Sequence, residues 1–155
     1  MLDYQPNTML HLSKTAGYAI HALSCIGRAA PRSCVIRSIA QSTGLQKPYL
    51  SKIINQLAHH GLVKAKRGYR GGILLVRLPE HISLLEIVRA VDGEHSPSFC
   101  LFGLEHCPIF GTCPAHVQWN AMREQVEALL GRITWGDVMK SSGYNSAALK
   151  KTRLA

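Results

Sequence analysis

Apolar residues recur at helical spacing in three stretches of the first half of the chain. The first stretch predicts a helix over residues 12–29, and Pro31 marks its end. The second predicts a short helix that begins near Ile36 and stops at Gly44, since glycine readily takes the positive φ of a turn. The third predicts a helix that ends at Gly61. Its apolar stripe consists of Leu50, Ile53, Ile54 and Leu57.

The second and third of these helices have the pattern of a helix-turn-helix, because a glycine-bearing turn joins them and the later helix is polar on its outer side. That later helix would enter the DNA major groove, where amides read adenine edges and lysines contact guanine or phosphate. The residues expected to meet DNA are Gln46, Lys47, Tyr49, Ser51, Lys52, Asn55 and Gln56. The alternative is a helical hairpin that serves as an interaction module.

Two β-rich runs follow, at residues 62–66 and 73–78, and a glycine-rich basic segment separates them. This pattern predicts a β-hairpin, and Gly71 and Gly72 fit its tight geometry. The basic residues need another explanation, because such a tip can lie along a phosphate backbone or place an arginine in a narrow minor groove. They are Lys64, Lys66, Arg67 and Arg70.

Two capping signals mark helix starts in the second half. Ser83 with Glu86 forms a capping box that predicts a helix over residues 84–92, and Thr134 with Asp137 predicts another short helix.

Between those helices, residues 115–133 have the pattern of a long amphipathic helix of about 27 Å. Pairing with a second copy would set two recognition helices about one DNA turn apart, so we expect a homodimer and a partly palindromic operator in double-stranded DNA. Packing of this helix within its own subunit is the alternative.

These elements predict a mostly α fold with a small β-hairpin wing, that is, a winged helix-turn-helix plus a long C-terminal dimerisation helix. We expect a DNA-binding unit over residues 10–80 and a cysteine loop with the dimerisation helix over residues 81–140. Residues 1–9 and 141–155 are expected to be loose tails. The chain shows no apolar run of transmembrane length and no signal-peptide pattern, so we expect a cytoplasmic protein without membrane association.

Charge is distributed unevenly along the chain, whose net charge is +9. Residues 1–79 carry eleven Lys or Arg and one acid, whereas residues 80–155 carry seven bases and eight acids. This block favours nucleic acid as the partner, with affinity that falls steeply with salt, over a basic surface kept only for solubility. An enzyme is not expected, because the sequence has no Ser-His-Asp signature, no Walker loop and no dinucleotide fingerprint.

The five cysteines suggest ligands or thiol chemistry rather than a disulfide framework. Six and then five residues separate Cys100, Cys107 and Cys113, and these gaps are wider than those of paired zinc ligands. A loop of this length can wrap an iron-sulfur cluster, although zinc remains an alternative. Cys25 fits a core position, and Cys34 is interpreted as an ordinary cysteine, with a reactive thiol as its alternative.

The chain resembles the Rrf2 family of bacterial transcription regulators over roughly residues 10–140. The resemblance implies a homodimeric winged-helix protein whose long C-terminal helix pairs with its twin, and the family includes iron-sulfur regulators of the IscR, NsrR and RirA kinds. The matching positions are Leu12-Ser13, Tyr18-Ala19, Tyr49-Leu50, Leu57, Gly61-Leu62-Val63, Arg67-Gly68, Gly71-Gly72, Ile87 to Asp92 and the three-cysteine segment.

The resemblance also bears on the fourth ligand. His116 stands where IscR-type proteins place the histidine that completes a [2Fe-2S] site, whereas Gly17 stands where NsrR-type proteins place the acidic ligand of a [4Fe-4S] centre. A [2Fe-2S] cluster is therefore favoured over [4Fe-4S], with Glu105 and His106 as competing ligands. The first cysteine gap is one residue longer than in either pattern, which leaves the cluster type open. The favoured ligand set is Cys100, Cys107, Cys113 and His116.

Taken together, the sequence predicts a dimeric transcription regulator, expected to be a repressor with activation as the alternative, whose operator affinity an iron-sulfur cluster controls in response to redox state, nitric oxide or iron. The alternative is the same fold acting as a direct thiol or zinc-dependent redox regulator.

Overall fold

The computed structural model describes residues 12–66, 68, 71–94, 100–101, 109 and 112–141. A short 3₁₀ turn at Pro79–His81 precedes the fourth helix. The elements are α1 (Lys14–Ala29), α2 (Ile36–Thr43), α3 (Lys47–His59), β1 (Val63–Lys66), β2 (Gly72–Leu75), α4 (Leu84–Asp92), α5 (Pro114–Arg132) and α6 (Trp135–Lys140). The predicted helical fold with a two-stranded wing is confirmed. The division into units at residue 80 stays a prediction, and both predicted tails lie almost wholly outside the described residues.

Helix α1 is the centre of the hydrophobic core. Its start is capped by Ser13, whose Oγ accepts a hydrogen bond from the Ala16 N–H at 2.9 Å. Its buried face includes Leu23 and Ile26, and it belongs to the same core as the buried stripe of α3 and the apolar face of α4. The two helices of the predicted helix-turn-helix are therefore packed on the element that also supports α4.

The helix-turn-helix follows from local signals. Gly44 ends α2 in the left-handed region at φ 72°, and its N–H donates to the Ala40 carbonyl at 2.9 Å. Pro48 lies in the first turn of α3, where its missing N–H is tolerated. All four stripe residues of α3 are buried. Its opposite side is left facing outward.

The wing is an antiparallel pair in which Val63 lies opposite Leu75 and Lys66 opposite Gly72. The predicted second strand was too long, because β2 ends at Leu75. A further pairing was not predicted: Cys34, which precedes α2, forms a bridge with Ile73, and the two backbone hydrogen bonds measure 2.8 and 2.9 Å. This bridge fastens the wing to the helix-turn-helix.

Gly72 is required by close packing as well as by the hairpin. It has φ +151°, and a Cβ there would lie 2.9 Å from the Ser33 Cβ and 3.0 Å from the Cys34 carbonyl oxygen. We expect Gly72→Ala to lower the free energy of unfolding by about 1–3 kcal/mol, because overpacking adds to backbone strain. Urea unfolding of both proteins measures the loss.

Gly68 provides the matched control, since it also has positive φ (95°) but its Cβ would meet nothing within 4 Å. Gly68→Ala should therefore show the cost of backbone strain alone. Equal losses for the two variants would refute the packing explanation.

Helix α6 returns the chain to the core. The predicted capping box at Ser83 is confirmed, and Thr134 with Asp137, predicted only to start a helix, forms a second one. Trp135 is fully buried. Its backbone N–H donates to the Ile82 carbonyl at 2.8 Å, and its indole Nε1–H donates to the Ser24 Oγ at 3.4 Å. The indole fills the space left by Gly27, where a Cβ would lie 2.7 Å from the ring. The C-terminal end of α5 is thus anchored next to α1.

No helix in the described part of the chain is long and apolar enough to cross a membrane.

Candidate DNA-binding face and cysteine site

The outward side of α3 carries the polar residues that the sequence predicted to read DNA. Lys47, Lys52 and Asn55 are exposed, and Ser51 is half-buried beside them. Since residues four apart in a helix share a face, Lys47, Ser51 and Asn55 form one continuous edge. This edge has the donors and acceptors that base readout requires.

Tyr49 combines exposure with a structural contact. Its side chain is 38% exposed, its hydroxyl lies 3.0 Å from the Thr15 Oγ1, and its ring meets the Tyr18 ring edge-on at 6.2 Å. It therefore joins the start of α3 to α1. Its predicted contact with DNA stays a prediction.

Gln56 differs from the other polar residues of α3. Its Nε2 donates to the Val91 carbonyl oxygen at the end of α4, at 3.3 Å. The sequence suggested that Gln56 meets DNA; in the structure its side chain is hydrogen-bonded to a neighbouring helix, and its contact with DNA stays a prediction. Between α3 and this end of α4 lies an open groove of about 880 Å³.

The wing contributes two exposed lysines among the described residues, Lys64 and Lys66 on β1. Because alternate residues of a strand share a face, the two ammonium groups project from the same side. Arg67 and Arg70, which the sequence assigned to the hairpin tip, lie outside the described residues. Arg77, beyond the wing, is engaged by Glu86 at 2.7 Å.

The cysteine site is described only in part. Cys113 is the N-cap residue of α5, is half-buried, and forms no side-chain capping hydrogen bond. The His116 N–H donates to the Cys113 carbonyl at 3.0 Å, so both side chains belong to the first turn of α5. Cys100 is also half-buried.

Cys107 lies outside the described residues, as do the competing ligands Glu105 and His106. Among the residues that are described, no three His, Cys, Asp or Glu side chains are gathered for a metal ion. The three-cysteine ligand set therefore stays a prediction.

Asn120 is a functional candidate that the sequence interpretation missed. Its Nδ2 lies 3.0 Å from the His116 Nε2, and its Oδ1 is buried without a hydrogen-bond partner in the described part of the chain. Turning the amide by 180° lets Oδ1 accept a hydrogen bond from the His116 Nε2–H, a tautomer in which Nδ1 carries the lone pair. Metal-bound histidines use this arrangement, so the residues present fit a cluster ligand at His116. The sequence did contain a signal for this contact, because His116 and Asn120 are four residues apart on a predicted helix.

The remaining cysteines match their expected structural roles. Cys25 packs against the core, and Cys34 is 8% exposed. Burial raises the pKa of the Cys34 thiol, and the nearby Cys25 raises it further. A protonated thiol is a poor nucleophile, so the environment of Cys34 favours its interpretation as an ordinary buried cysteine.

Helix α5 exposes an apolar face along much of its length. Val117 is 68% exposed, Met122 48% and Leu129 49%, and the exposed Ala121 and Ala128 lie between them. The opposite side packs on the core through Leu130. Exposed apolar faces of this kind are typical of protein interfaces.

Comparison with protein families gives one match over most of the chain. The family model named Rrf2, described as an iron-dependent transcriptional regulator, matches residues 12–141. The transcriptional regulator IscR of Erwinia tasmaniensis is 26% identical over 133 residues, which cover 85% of this chain and 80% of that protein. The transcriptional repressor NsrR of Streptomyces coelicolor is 28% identical over 132 residues, covering 84% and 88%.

CymR and IscR proteins are among the solved structures that resemble this chain. CymR of B. subtilis, described as the global cysteine regulator, has a TM-score of 0.67 and 27% identity, with 84% of this chain and 97% of that chain covered. T. potens IscR has a TM-score of 0.67 and 26% identity, covering 94% of each chain. The oxidized form of Staphylococcus aureus CymR has a TM-score of 0.64 and 26% identity, covering 84% and 97%.

Proposed function

Since this chain belongs to the Rrf2 family of DNA-binding transcription regulators and is not an enzyme, we propose that an iron-sulfur cluster in its cysteine segment controls its affinity for operator DNA. The observation that carries the proposal is the first turn of α5, where a half-buried Cys113 and His116 lie together and Asn120 can orient the imidazole. Similarity to IscR and NsrR proteins supports it.

The proposed ligands are Cys100, Cys107, Cys113 and His116. Three thiolates and an imidazole suit a [2Fe-2S] cluster better than a hard cation, and we favour this cluster over [4Fe-4S]. When bound, the cluster supplies a centre that oxidants, nitric oxide or iron shortage can alter. His116 and Cys113 would hold it against the start of α5, since both belong to that helix end.

In the proposed complex, α3 lies in the major groove and the wing follows the backbone, with its lysines and, at the tip, Arg67 and Arg70. A second copy would pair along the exposed face of α5. The operator would then be a partial palindrome, because a two-fold dimer presents two identical recognition helices.

Base readout and backbone binding should be separable by mutation. Asn55→Ala is expected to cost about 1–3 kcal/mol on the preferred sequence and to relax the preference at one base pair. Lys64→Ala should instead weaken binding to all duplexes alike. The slope of the logarithm of the affinity against the logarithm of the salt concentration should become shallower by about one unit. We expect Arg67→Ala to behave like Lys64→Ala.

Fluorescence anisotropy with the preferred duplex and a scrambled duplex, at several salt concentrations, makes this comparison. If both kinds of variant lowered affinity for both duplexes by the same factor, the assigned roles would be wrong.

The His116–Asn120 contact makes a prediction about the cluster itself. Asn120→Leu removes the group that orients the imidazole, so iron retention against a chelator should weaken by about 10–100-fold and the visible absorption bands should shift. Asn120→Asp keeps an acceptor for Nε2–H and should restore both properties. Unchanged spectra and iron retention in Asn120→Leu would remove His116 from the ligand set.

The visible spectrum of protein purified without oxygen tests the proposed function. Iron, acid-labile sulfide and zinc should be determined on the same sample. A brown protein with near-equal iron and sulfide is expected, and the stoichiometry distinguishes the cluster types. A colourless protein that also fails reconstitution would contradict the iron-sulfur proposal.

A second candidate is a thiol or zinc regulator on the same frame. Similarity to CymR, including a structure of an oxidized form, favours this candidate. It predicts a colourless protein whose DNA affinity changes on treatment with peroxide and recovers with dithiothreitol, or one that purifies with zinc.

A further inference from the structure

The carboxyl end of α4, at residues 89–94, is contacted by α3, by the start of α1 and by α5, and the cysteine segment follows it in sequence. We call residues 89–94 the α4 junction. Residues from this junction line the groove together with the polar side of α3. Glu94 stands only six positions before Cys100, so the chain runs from the junction into the cysteine segment. The junction is therefore the described part of the chain that directly precedes the cysteine segment in sequence.

The recognition helix is connected to this junction by Gln56. The last four carbonyls of an α-helix have no partner within the helix, and Val91 carries one of them. Its oxygen accepts the hydrogen bond from the Gln56 Nε2 at 3.3 Å, while Gln56 itself is half-buried. The contact thus meets a need of α4 with a side chain of α3.

The start of α1 is connected to the same place. Asp92, the last residue of α4, accepts a 2.7 Å hydrogen bond from the Ser13 Oγ, the same atom that caps α1. A carboxylate at the C-terminus of a helix is disfavoured by the helix dipole, and the hydrogen bond from Ser13 offsets part of this cost.

Helix α5 reaches the junction through ion pairs. Arg89 lies 3.6 Å from Glu94 and 3.3 Å from Glu127 of α5. These groups are partly exposed, so the pairs add little stability. They do connect Glu94, which precedes the cysteine segment, to α5 through Arg89.

We propose that Gln56 is a positioning residue that couples the cysteine segment to the recognition helix through the Val91 carbonyl. The inference rests on the proposed regulation of DNA binding by the cysteine segment. It assigns Gln56 to signal transmission rather than to base readout, whereas the neighbouring Asn55 keeps its proposed contact with bases in the DNA major groove.

The test is a double-mutant cycle with Cys100→Ala and Gln56→Leu, which keeps the approximate volume of the side chain but removes its donor. The probe is a duplex selected by the wild-type protein from a random-sequence pool. With Gln56 present, Cys100→Ala should change the dissociation constant by about tenfold. In the Gln56→Leu background the same substitution should change it by less than about threefold.

Two further variants separate coupling from general weakening. Gln56→Lys keeps a donor for the Val91 carbonyl, at a helix end that favours a cation, so it should restore the effect of Cys100→Ala. Thr43→Val removes a comparable hydrogen bond, from the Thr43 Oγ1 to the Ile39 carbonyl at 2.8 Å, away from the junction. It should leave the effect at about tenfold.

Amide hydrogen exchange of α3, measured without DNA, gives a readout that does not depend on operator binding. Cys100→Ala should change the protection of α3 amides when Gln56 is present and should not do so in Gln56→Leu. Equal changes in both backgrounds, or no change in either, would overturn the inference. Absence of iron and sulfide from the wild-type protein would contradict the proposed cluster alone, because the exchange experiment needs no cluster.

Discussion

Replacing Cys113 by alanine is expected to yield a protein without its cluster. The thiolate at the start of α5 is one of three proposed sulfur ligands, and loss of one ligand leaves a thiolate-bound cluster incomplete. The visible absorption should disappear, iron and sulfide should fall to background, and operator affinity should become insensitive to oxygen or nitric oxide. Cys100→Ala and Cys107→Ala should have the same effect on cofactor content.

Cys25→Ala is the matched control. Cys25 packs against the core on α1 and belongs to no proposed ligand set. It should keep full iron and sulfide content even if it lowers stability modestly. Loss of the cluster from Cys25→Ala, together with retention in Cys113→Ala, would overturn the ligand assignment.

Leu129→Glu should produce a monomer that binds the operator at least about a hundredfold more weakly. Leu129 belongs to the exposed apolar face of α5, and a carboxylate buried there on pairing would pay a large desolvation penalty. A monomer would reach only one half-site, so it would lose half of the base contacts. Sedimentation velocity gives the mass, and anisotropy gives the affinity.

Leu129→Met supplies the comparison, because it conserves volume and apolar character. It should remain a dimer with near wild-type affinity. A Leu129→Glu protein that stayed dimeric would mean that the two copies pair through another surface.

Local sequence signals predicted most of the secondary structure. Helical periodicity together with the capping residues at Gly44, Ser83 and Thr134 placed helix ends to within a few residues, because each signal depends on atoms close in sequence. The bridge from Cys34 to Ile73 and the contact of Trp135 with Ser24 were not predicted. Both join residues far apart along the chain, and periodicity carries no information on such pairs.

The candidate site shows the same limit. Periodicity correctly placed Asn55 on the polar side of α3, but it grouped Gln56 with the readers because it says nothing about what lies beside that face. Only the packing of α4 reveals the Val91 carbonyl as its partner. The cysteine spacing predicted which residues are the ligands. It gave no sign of Asn120, whose role follows from its contact with His116 in the folded chain.

The burial of Trp135 has a mechanical consequence for the opposite end of α5. With 19 residues, α5 is about 28 Å long, with Cys113 at its N-terminal end and the buried Leu130 and, just beyond the helix, Trp135 at the other end. A tilt of α5 by about 10° about its buried end would move Cys113 by about 5 Å, more than the rise of about 3.4 Å between base pairs. A displacement of Cys113 by about 1 Å would turn the helix by only about 2°. The packing of Trp135 and Leu130 at the buried end of α5 therefore contributes to the position of the distant sulfur ligand.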